Sequence, residues 1–469
     1  MAENQTCEKV YTGRRAIYTS TRKITKQNVV KELYKAYAIH CVNRAEIDYL
    51  YNYYKGNQPI LIRKKKVRPE INNKIVVNRA NEIVSFKVGY TFGKPLQYIN
   101  RSGDDKNTPK INKLNDYMFL QRKKSQDKNL AEWFFICGTG YRIALPAKRG
   151  NTPFKTYVLD PRDTFVVYYS GLGTEEVMGV KYVTLENNEI LFSVYTEDMY
   201  FEIKGDRVTK VEHHPLEQIP IIEYPANMAR LGAFEIVLSL LDSINTITSN
   251  RIDGVEQFIQ ALMLFKGVDI ESDKFKSLKE EGAILIPDGA EIKYLIQELN
   301  QTQTQTLVDD IYQTVLTICG MPNRNGGSST SDTGTAVIMR DGWEMAEARA
   351  QDAEDEFKDS ECKFLSLVLR IINGTTDLDL DETAVDVKFT RRNYENITEK
   401  AQVLTSMLNN PKIHPQLAFS HCGMFVDSET SYAMSVKYYE EQKQKAQKEL
   451  EDFTQSKIDK AKSQVNSDV

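Results

Sequence analysis

Only one stretch of the sequence approaches a phosphate-binding loop, the segment from Gly89 to Pro95. Its two glycines and its lysine follow the order of a P-loop, but the spacing between the glycines is one residue short. Pro95 also stands where a serine or threonine would bind the magnesium ion. The segment Gly138–Gly140 lies between a predicted helix and a predicted strand, the reverse of the order in a dinucleotide-binding turn. The sequence therefore predicts no nucleotide site and no cofactor.

Metal-binding and nucleophilic groups are equally sparse. Asp309 and Asp310, together with acids further along the chain, could be imagined as a two-metal nuclease site. Neighbouring acids on a helix diverge by about 100°, however, so a solvated surface is the better interpretation. The pair His213 and His214 falls on a predicted strand, where adjacent side chains point to opposite faces. The six cysteines are scattered without a C-x-x-C pair, which indicates thiols in a reducing compartment.

The residues from Asn323 to Asp332 form a loop of another kind, because none of them is apolar. Its amides, hydroxyls and two glycines permit many conformations, and Arg324 is its only cation. Such side chains suit weak, repeated contacts with phosphate, whereas tight binding would require several cations. A simple linker between two helices is the competing interpretation, and the residues alone leave both open.

Two helical patterns flank this loop. The first has apolar residues at helical spacing through Ile318 and stops at Gly320 and Pro322. The second holds from Thr335 to Asn373 and ends at Gly374, a length of about 60 Å at a rise of about 1.5 Å per residue. Its apolar and small residues alternate in steps of four and three, as in a heptad seam. The seam consists of Met339, Trp343, Ala346, Ala350, Ala353, Phe357, Ser360, Phe364, Leu367 and Ile371.

The long helical pattern is also strongly acidic. A solvated acidic face is the ordinary interpretation, and a wall that repels a polyanion is the sharper one. The acids are Asp341, Glu344, Glu347, Asp352, Glu354, Asp355, Glu356, Asp359 and Glu361.

Composition bounds the class of protein. With 469 residues, 41% hydrophobic and 27% charged, the chain is expected to fold into two or more structural units. Neither a signal peptide nor an apolar run long enough to span a bilayer is visible, so we expect no membrane contact and synthesis in the cytosol. Residues 1–130 carry 27 Lys+Arg and 11 Asp+Glu, a formal charge of +16, whereas the remainder carries 34 and 54, a formal charge of −20. Such polarity suits a protein whose two parts meet different partners.

Along the chain, residues 1–26 read as a flexible basic arm. Helical patterns and then runs rich in Val, Tyr, Phe and Ile follow to residue 225, which predicts an α+β unit with an antiparallel sheet. The basic run from Arg63 to Arg68 reads as a solvated loop, with phosphate contact as the minority interpretation. A long helix is predicted over 230–265, and a small β-rich insertion over 267–299 should project between two helices. Shorter helices follow residue 375, and the polar tail 454–469 is predicted to be disordered.

In the order and spacing of these segments the chain resembles the portal proteins of tailed bacteriophages, in the branch typical of long-tailed phages of Gram-positive hosts. The resemblance covers about residues 30–445. None of its segments is a catalytic fingerprint. They are Lys74–Pro95, Val158–Tyr168, Leu241–Asn245, Glu256–Phe258 and Cys319–Pro322.

The resemblance implies an α+β portal architecture. It divides the chain into a wing (27–229), two stem helices (230–266 and 301–320), a clip (267–300), a tunnel loop (321–333), a long wing helix (334–374) and a helical crown (375–453). It further implies a ring of about twelve subunits at one capsid vertex of the virion, assembled in the host cytoplasm. Its implied partners are double-stranded DNA in the channel, terminase, a head–tail adaptor, and the major capsid and scaffolding proteins.

The residues expected to meet these partners follow from the same resemblance. In the tunnel loop, the DNA channel would be lined by Asn323, Arg324, Asn325, Gly326, Gly327, Ser328, Ser329, Thr330 and Ser331. In the clip, partner proteins would dock on Lys274, Lys276, Lys279 and Glu280. A packaging-associated nuclease or ATPase is the alternative function, which the missing motifs disfavour. A helical scaffold without DNA contact would explain the long helix but not the polar loop beside it.

Overall fold

The computed structural model describes residues 13–101, 106–259, 262–266, 291–295, 301–323, 342–390, 397–425 and 427–465. Helices and sheets alternate through this part of the chain, as the predicted α+β class requires. Most of the predicted clip and nearly all of the predicted tunnel loop lie outside the described residues. None of the helices in the described ranges is long and apolar enough to cross a membrane.

The first layer is a six-stranded sheet covered by helix α1 (Val29–Tyr54). Its apolar side chains alternate along the strands, and those on one face bury a cluster against Leu33 and Ala36 of α1. The strand order is β1-β5-β6-β7-β8-β9, and all neighbours are antiparallel except β1 and β5. The strands are β1 (Ile17–Thr19), β5 (Thr164–Tyr169), β6 (Glu176–Thr184), β7 (Ile190–Tyr195), β8 (Met199–Lys204) and β9 (Arg207–His213).

The second layer combines three helices with smaller sheets. The helices are α2 (Arg79–Thr91), α3 (Thr108–Leu120) and α4 (Lys123–Cys137). One sheet has the order β10-β3-β4 and consists of β3 (Thr139–Pro146), β4 (Phe154–Leu159) and β10 (Ile221–Pro225). In the other, β2 (Gln97–Asn100) pairs with β13 (Val385–Lys388). Short 3-10 helices occur at Pro59–Ile62, Glu235–Val237 and Glu382–Ala384.

The central part of the chain is a helical hairpin followed by a long helix. The hairpin runs through α5 (Leu238–Ile259), β11 (Leu262–Lys266), β12 (Glu291–Leu295) and α6 (Gln301–Cys319), with β11 and β12 antiparallel. Helix α7 (Trp343–Thr375) then packs across β10, β3 and β4. The last helices are α8 (Ile397–Leu408), α9 (Pro415–His421) and α10 (Ser428–Val465).

The heptad seam of α7 is confirmed from Ala346 onward. Seven of the predicted seam residues are buried: Ala346, Ala350, Phe357, Ser360, Phe364, Leu367 and Ile371. The seam packs on the chain's own sheets and on α2 instead of on a second long helix. Within the described ranges α7 begins at Trp343, after Gly342 with a left-handed φ of +79°.

Residues 13–26 are part of the fold, so the prediction of a free arm over 1–26 was wrong for this portion. Arg14 is 3% exposed and Ile17 is 2% exposed. Asn43 of α1 holds this segment: its amide accepts from the N–H of Arg15 at 3.0 Å and donates to the Arg15 carbonyl at 2.8 Å. Helix α1 is continuous through Asn43, which is buried on the side of the helix that contacts Arg15.

The helix predicted over 230–265 was wrong at both ends. Residues 226–234 have no helix, because their backbone bonds to the C-terminal turn of α4; the N–H of Ala233 donates to the carbonyl of Phe135 at 2.7 Å. At the other end Leu262–Lys266 pairs as a strand, and so short an apolar run does not reveal its conformation by periodicity. Residues 73–78 are not helical, and α2 begins at Arg79.

The C-terminal region differs from the predicted division as well. Residues 376–388 pack with the second layer, since β13 pairs with β2 and Leu380 is buried in the main core. Of the predicted crown, helices α8 to α10 form a separate group, in which α9 contacts both α8 and α10. The tail predicted to be disordered over 454–469 is helical as far as Val465, because its lysines, alanines and glutamines favour helix.

Candidate functional site

The α5–α6 hairpin is the element on which a channel function would depend. The side chain of Arg251 donates to Gln305 at 2.6 Å, and the thiol of Cys319 lies 3.6 Å from the carbonyl of Ala233 near the start of α5. These contacts pair the end of one helix with the beginning of the other, so α5 and α6 are antiparallel. The two helices together carry five acidic residues and one basic residue.

One face of α5 binds an extended segment of the wing through a regular ladder. Asn245, Ser249 and Asp253 are spaced by four residues and are at most 2% exposed. Their side chains accept from the backbone N–H groups of Val77 at 2.8 Å, Ile75 at 3.0 Å and Asn73 at 2.7 Å, respectively. Four helical residues advance about 6 Å and two extended residues about 6.6 Å, so the two repeats match over this length.

The ladder explains the basic run at 63–68. Asp253 also receives Lys65 at 2.9 Å and Arg63 at 3.3 Å, so one carboxylate of α5 pairs with both cations. Burial raises the pKa of Asp253, but the hydrogen bonds from Asn73 and Lys65 outweigh it and lower the pKa. Lys64 and Lys66 alternate with them and are exposed. The solvated interpretation therefore holds for Lys64 and Lys66, whereas Arg63 and Lys65 are structural.

Helix α2 connects α6 with α7. Tyr312 of α6 donates its hydroxyl to Glu82 at 3.0 Å, and the guanidinium of Arg79 lies 3.9 Å from the centre of the same ring. At its other end, Tyr90 donates to Glu347 of α7 at 2.7 Å and lies beside the ring of Trp343. One short helix therefore contacts both α6 and the start of α7.

The junction between α6 and α7 brings Pro322, at the start of the predicted tunnel loop, close to Gly342 at the start of α7. Gly320 and Gly342 have left-handed φ values of +62° and +79°. A Cβ atom built on Gly320 would lie 2.5 Å from the Cγ of Arg349, so a larger residue would collide with α7. A Cβ built on Gly342 would lie 4.0 Å from the Cα of Pro322. The chain therefore leaves α6 and returns to α7 at one place.

Helix α7 is fixed to the wing by a buried cluster of charges. Glu361, which is fully buried, receives Lys123 at 2.8 Å, Arg142 at 3.1 Å, and the hydroxyls of Tyr98 at 2.6 Å and Tyr224 at 2.9 Å. Asp127 pairs with the same Lys123 and Arg142, so two carboxylates face two cations.

The cluster shifts the pKa values of its members in consistent directions. Burial and then the charge of Glu361 hold the pKa values of the Tyr98 and Tyr224 hydroxyls well above their usual range, so both remain hydrogen-bond donors. For Arg142 burial opposes the charged form, but Tyr224, Asp127 and Glu361 outweigh it and raise the pKa.

The cluster corrects the reading of α7 as uniformly solvated. Glu361 and Glu354 are buried, whereas Asp352, Asp355 and Asp359 are exposed as predicted. The sequence contained a signal that Glu354 and Glu361 are buried. Glu354, Glu361 and Val368 recur every seven residues on the seam side of the helix, where a charge requires a partner.

Most residues assigned from the resemblance cannot be placed. Asn323 follows α6 at the junction and is half-buried, while Arg324, Asn325, Gly326, Gly327, Ser328, Ser329, Thr330 and Ser331 lie outside the described residues. Lys274, Lys276, Lys279 and Glu280 also lie outside them. The α5 ladder was not predicted from the sequence, although Asn245 lies in the segment Leu241–Asn245 that carries the resemblance. Many other polar residues of α5 hide the spacing of four.

The rejected chemical sites are not assembled in the part of the chain that the structure describes. Asp309 and Asp310 are exposed on α6, as the solvated interpretation predicted. His213 is exposed on β9, and His214 instead lies 3.0 Å from the carbonyl of Thr196 through its Nε2. In the described ranges, no group of three or more His, Cys, Asp or Glu side chains is placed to hold a metal ion.

A family model described as phage portal protein, SPP1 Gp6-like, matches residues 35–455. Among solved structures, the chain is similar to a chain in the neck of an empty GTA particle computed with C6 symmetry, with 13% identity, a TM-score of 0.45, and coverage of 74% of this chain and 90% of that one. It is also similar to a chain in the virion of a native gene transfer agent particle, with 11% identity, a TM-score of 0.45, and coverage of 81% and 94%. No curated protein matches the chain.

Proposed function

The chain belongs to the family of SPP1 Gp6-like phage portal proteins, and from this premise we propose that it forms a ring through which double-stranded DNA enters and leaves a capsid. Membership covers residues 35–455 and therefore the whole succession of wing, hairpin, long helix and following helices. The protein is a portal protein of the virion and acts at the capsid vertex. The number of subunits, about twelve, and assembly in the host cytoplasm are parts of the proposal.

The observation that carries the DNA channel is the geometry of the α6–α7 junction. Because Pro322 lies beside Gly342, the end of α6 and the start of α7 meet at one point beside the hairpin. The polar residues Asn323–Asp332 follow this point in the sequence, and we infer that they touch the backbone of a passing duplex. We assign the channel role to Asn323–Ser331 and the docking of terminase and adaptor to the clip, with Lys274, Lys276, Lys279 and Glu280 as contacts.

The electrostatics of the hairpin support passage instead of binding. Residues 301–306, at the start of α6, alternate Gln and Thr. Arg251 is the single cation of the two helices α5 and α6. Neutral amides and hydroxyls make weak phosphate contacts, and nearby carboxylates oppose condensation of a polyanion. A duplex would therefore slide along such a surface with a shallow free-energy profile.

The proposal includes the absence of a motor activity. Portal proteins of this family are generally structural, and the force for packaging would come from a separate terminase. The alternative of a packaging nuclease or ATPase has no specific support among the contacts described above.

The test is the assembly state of the purified full chain. Native mass spectrometry should give a single ring many times the 53.8 kDa of the chain, and negative-stain images should show a central hole. A strictly monomeric protein at micromolar concentration, in the presence of scaffolding and capsid proteins, would contradict the proposal.

A further inference from the structure

A large open cleft lies between α7 and the segment that leads into α5. Its volume is about 650 Å³. Its floor is apolar and includes Leu231, Ile236 and Ile318; Ile236 is 56% exposed and Ile318 is 39% exposed. Apolar side chains this exposed at the base of a cleft gain free energy when a partner covers them.

One wall of the cleft is a stripe of carboxylates on α7. Asp352, Asp355, Glu356 and Asp359 recur at intervals of three and four residues and therefore share one face of the helix. Among the residues that the structure describes, Asp355, Glu356 and Asp359 form no ion pair, and Asp352 has only Arg349 at 4.0 Å.

Apart from Arg349, which lines the cleft beside Asp352, the cations of α7 pair outside the cleft. Lys358 pairs with Asp386 at 2.7 Å, Lys363 with Glu176 at 2.7 Å and Arg370 with Glu217 at 2.9 Å. Four carboxylates therefore line the cleft together with two cations, Lys87 and Arg349. The excess of negative charge beside an apolar floor favours an occupant with cationic and apolar groups and disfavours nucleic acid.

The chain itself carries exposed cations that could supply this charge. Residues 1–130 have a formal charge of +16, and among their lysines Lys64, Lys66 and Lys124 are exposed. Subunits of a ring meet head to tail, so two different surfaces of the same chain must be complementary. A basic surface and an acidic cleft on one subunit meet this condition.

We propose that the cleft is the receiving half of the contact between neighbouring subunits and is filled by the basic surface of residues 13–130 of a second copy. The inference rests on the proposed ring. In the ring, lysine or arginine side chains of the neighbour pair with Asp355 and Asp359, and apolar stems cover Ile236 and Ile318. The cleft is incomplete in a single chain for this reason.

The first experiment reverses the charge of the wall. The variant Asp355→Lys/Asp359→Lys changes two exposed side chains that have no ion-pair partner within the described ranges, so its circular dichroism spectrum should match that of the wild type. Native mass spectrometry should show loss of the ring. The matched control Glu440→Lys/Glu441→Lys makes the same charge change on the exposed face of α10 and should assemble normally.

The second experiment identifies the occupant. A carbodiimide joins a carboxylate to a lysine amine as an amide with loss of water, and rings mixed from unlabelled and isotopically labelled chains separate links between subunits from links within one. Links from the wall acids should reach lysines of residues 13–130 in another copy.

The outcomes separate this inference from the proposed function. If the wild-type chain forms no ring, the proposed function itself fails. If the wild type forms rings and the reversed variant does so equally well, only the cleft contact is refuted. Rings of the variant that assemble but fail to fill heads would show that the wall faces the channel, which also overturns the inference. Links confined to one subunit, or to lysines beyond residue 130, would do the same.

Discussion

At Glu361, four donors converge on one carboxylate that water does not reach. Two are cations and two are tyrosine hydroxyls, and Asp127 completes the balance of charge. Burying a balanced cluster of this kind adds little net stability, but removing one partner leaves an unpaired charge in a medium of low dielectric. The cluster therefore acts mainly by fixing one position of α7 on the wing.

We expect Glu361→Gln to lower the free energy of unfolding by about 3–5 kcal/mol, because Lys123 and Arg142 would then share a single carboxylate. Urea unfolding followed by tryptophan fluorescence measures this change. Glu440→Gln, the same change on the exposed face of α10, should change the stability by less than about 0.5 kcal/mol. Equal effects of the two variants would mean that the cluster is solvated.

His40 gives a second prediction at this scale, on pH dependence. It is 2% exposed, stacks on Phe165, and its Nε2 lies 3.2 Å from the carbonyl of Arg162. Burial, with the nearby charge of Arg44, lowers its pKa from 6.5 to about 4. The unfolded chain therefore binds the proton more readily, so stability is complete above pH 6.5 and is lost as the pH falls towards 4.

Between pH 7 and pH 5 this single group should remove about 2 kcal/mol of stability. Comparing unfolding free energies of the wild type and His40→Gln at both pH values isolates the contribution, since the variant cannot titrate there. His213→Gln, at an exposed position, should retain the wild-type slope. A wild-type slope in His40→Gln would refute the assignment.

At the scale of elements, the ladder on α5 determines how the hairpin is attached to the wing. Ser249 accepts from the N–H of Ile75 and is fully buried. Ser249→Ala would orphan that N–H group and should cost about 1–3 kcal/mol. Hydrogen exchange should accelerate at the amide of Ile75 in particular. The matched control is Ser243→Ala, which removes only a bond to the carbonyl of Ser239 within the same helix. Slow exchange at Ile75 in Ser249→Ala would contradict the ladder.

Elements with long apolar periods were predictable from the sequence, and their attachments were not. Apolar residues spaced by three and four predicted the seam of α7, and apolar residues spaced by two predicted the strands of the sheet. These spacings arise because one face of each element is buried. The extended course of residues 73–78 was missed because its backbone bonds go to side chains 168 to 180 positions away. The irregular segment at 226–234 was missed for a related reason, as its conformation is imposed by the end of α4.

For the candidate site, the sequence located the polar loop and both flanking helices but could not show that their ends meet. That proximity depends on Gly320, Pro322 and Gly342, which lie on both sides of the loop. The prediction that Glu361 lies on a solvated face was wrong, because it rested only on the charge of the side chain. Only the partners on α4, β2, β3 and β10 reveal why a carboxylate can be buried there.

At the scale of the whole molecule, the purified protein should hydrolyse neither ATP nor DNA. The segment Gly89–Pro95 ends α2 and has no P-loop spacing, and Asp309 and Asp310 are exposed on α6. Incubation with magnesium, ATP and plasmid should leave both substrates intact. Turnover that disappears in Asp309→Asn or Asp310→Asn would instead support the nuclease alternative.

The last prediction concerns the loop between α6 and α7. Because Asn325–Ser331 contains no apolar residue and its flanks already meet at Pro322 and Gly342, its deletion should leave folding and ring assembly intact. DNA passage should suffer, since the amides, hydroxyls and the neighbouring Arg324 are then lost or displaced from the duplex. In phage complementation we expect normal rings and empty or underfilled heads. A variant in which the same seven positions are Gly and Ser keeps the length but removes the asparagine and threonine side chains. It therefore distinguishes the effect of loop length from the effect of these side chains. Fully packed, infectious particles from the deletion would show that the loop is only a connector.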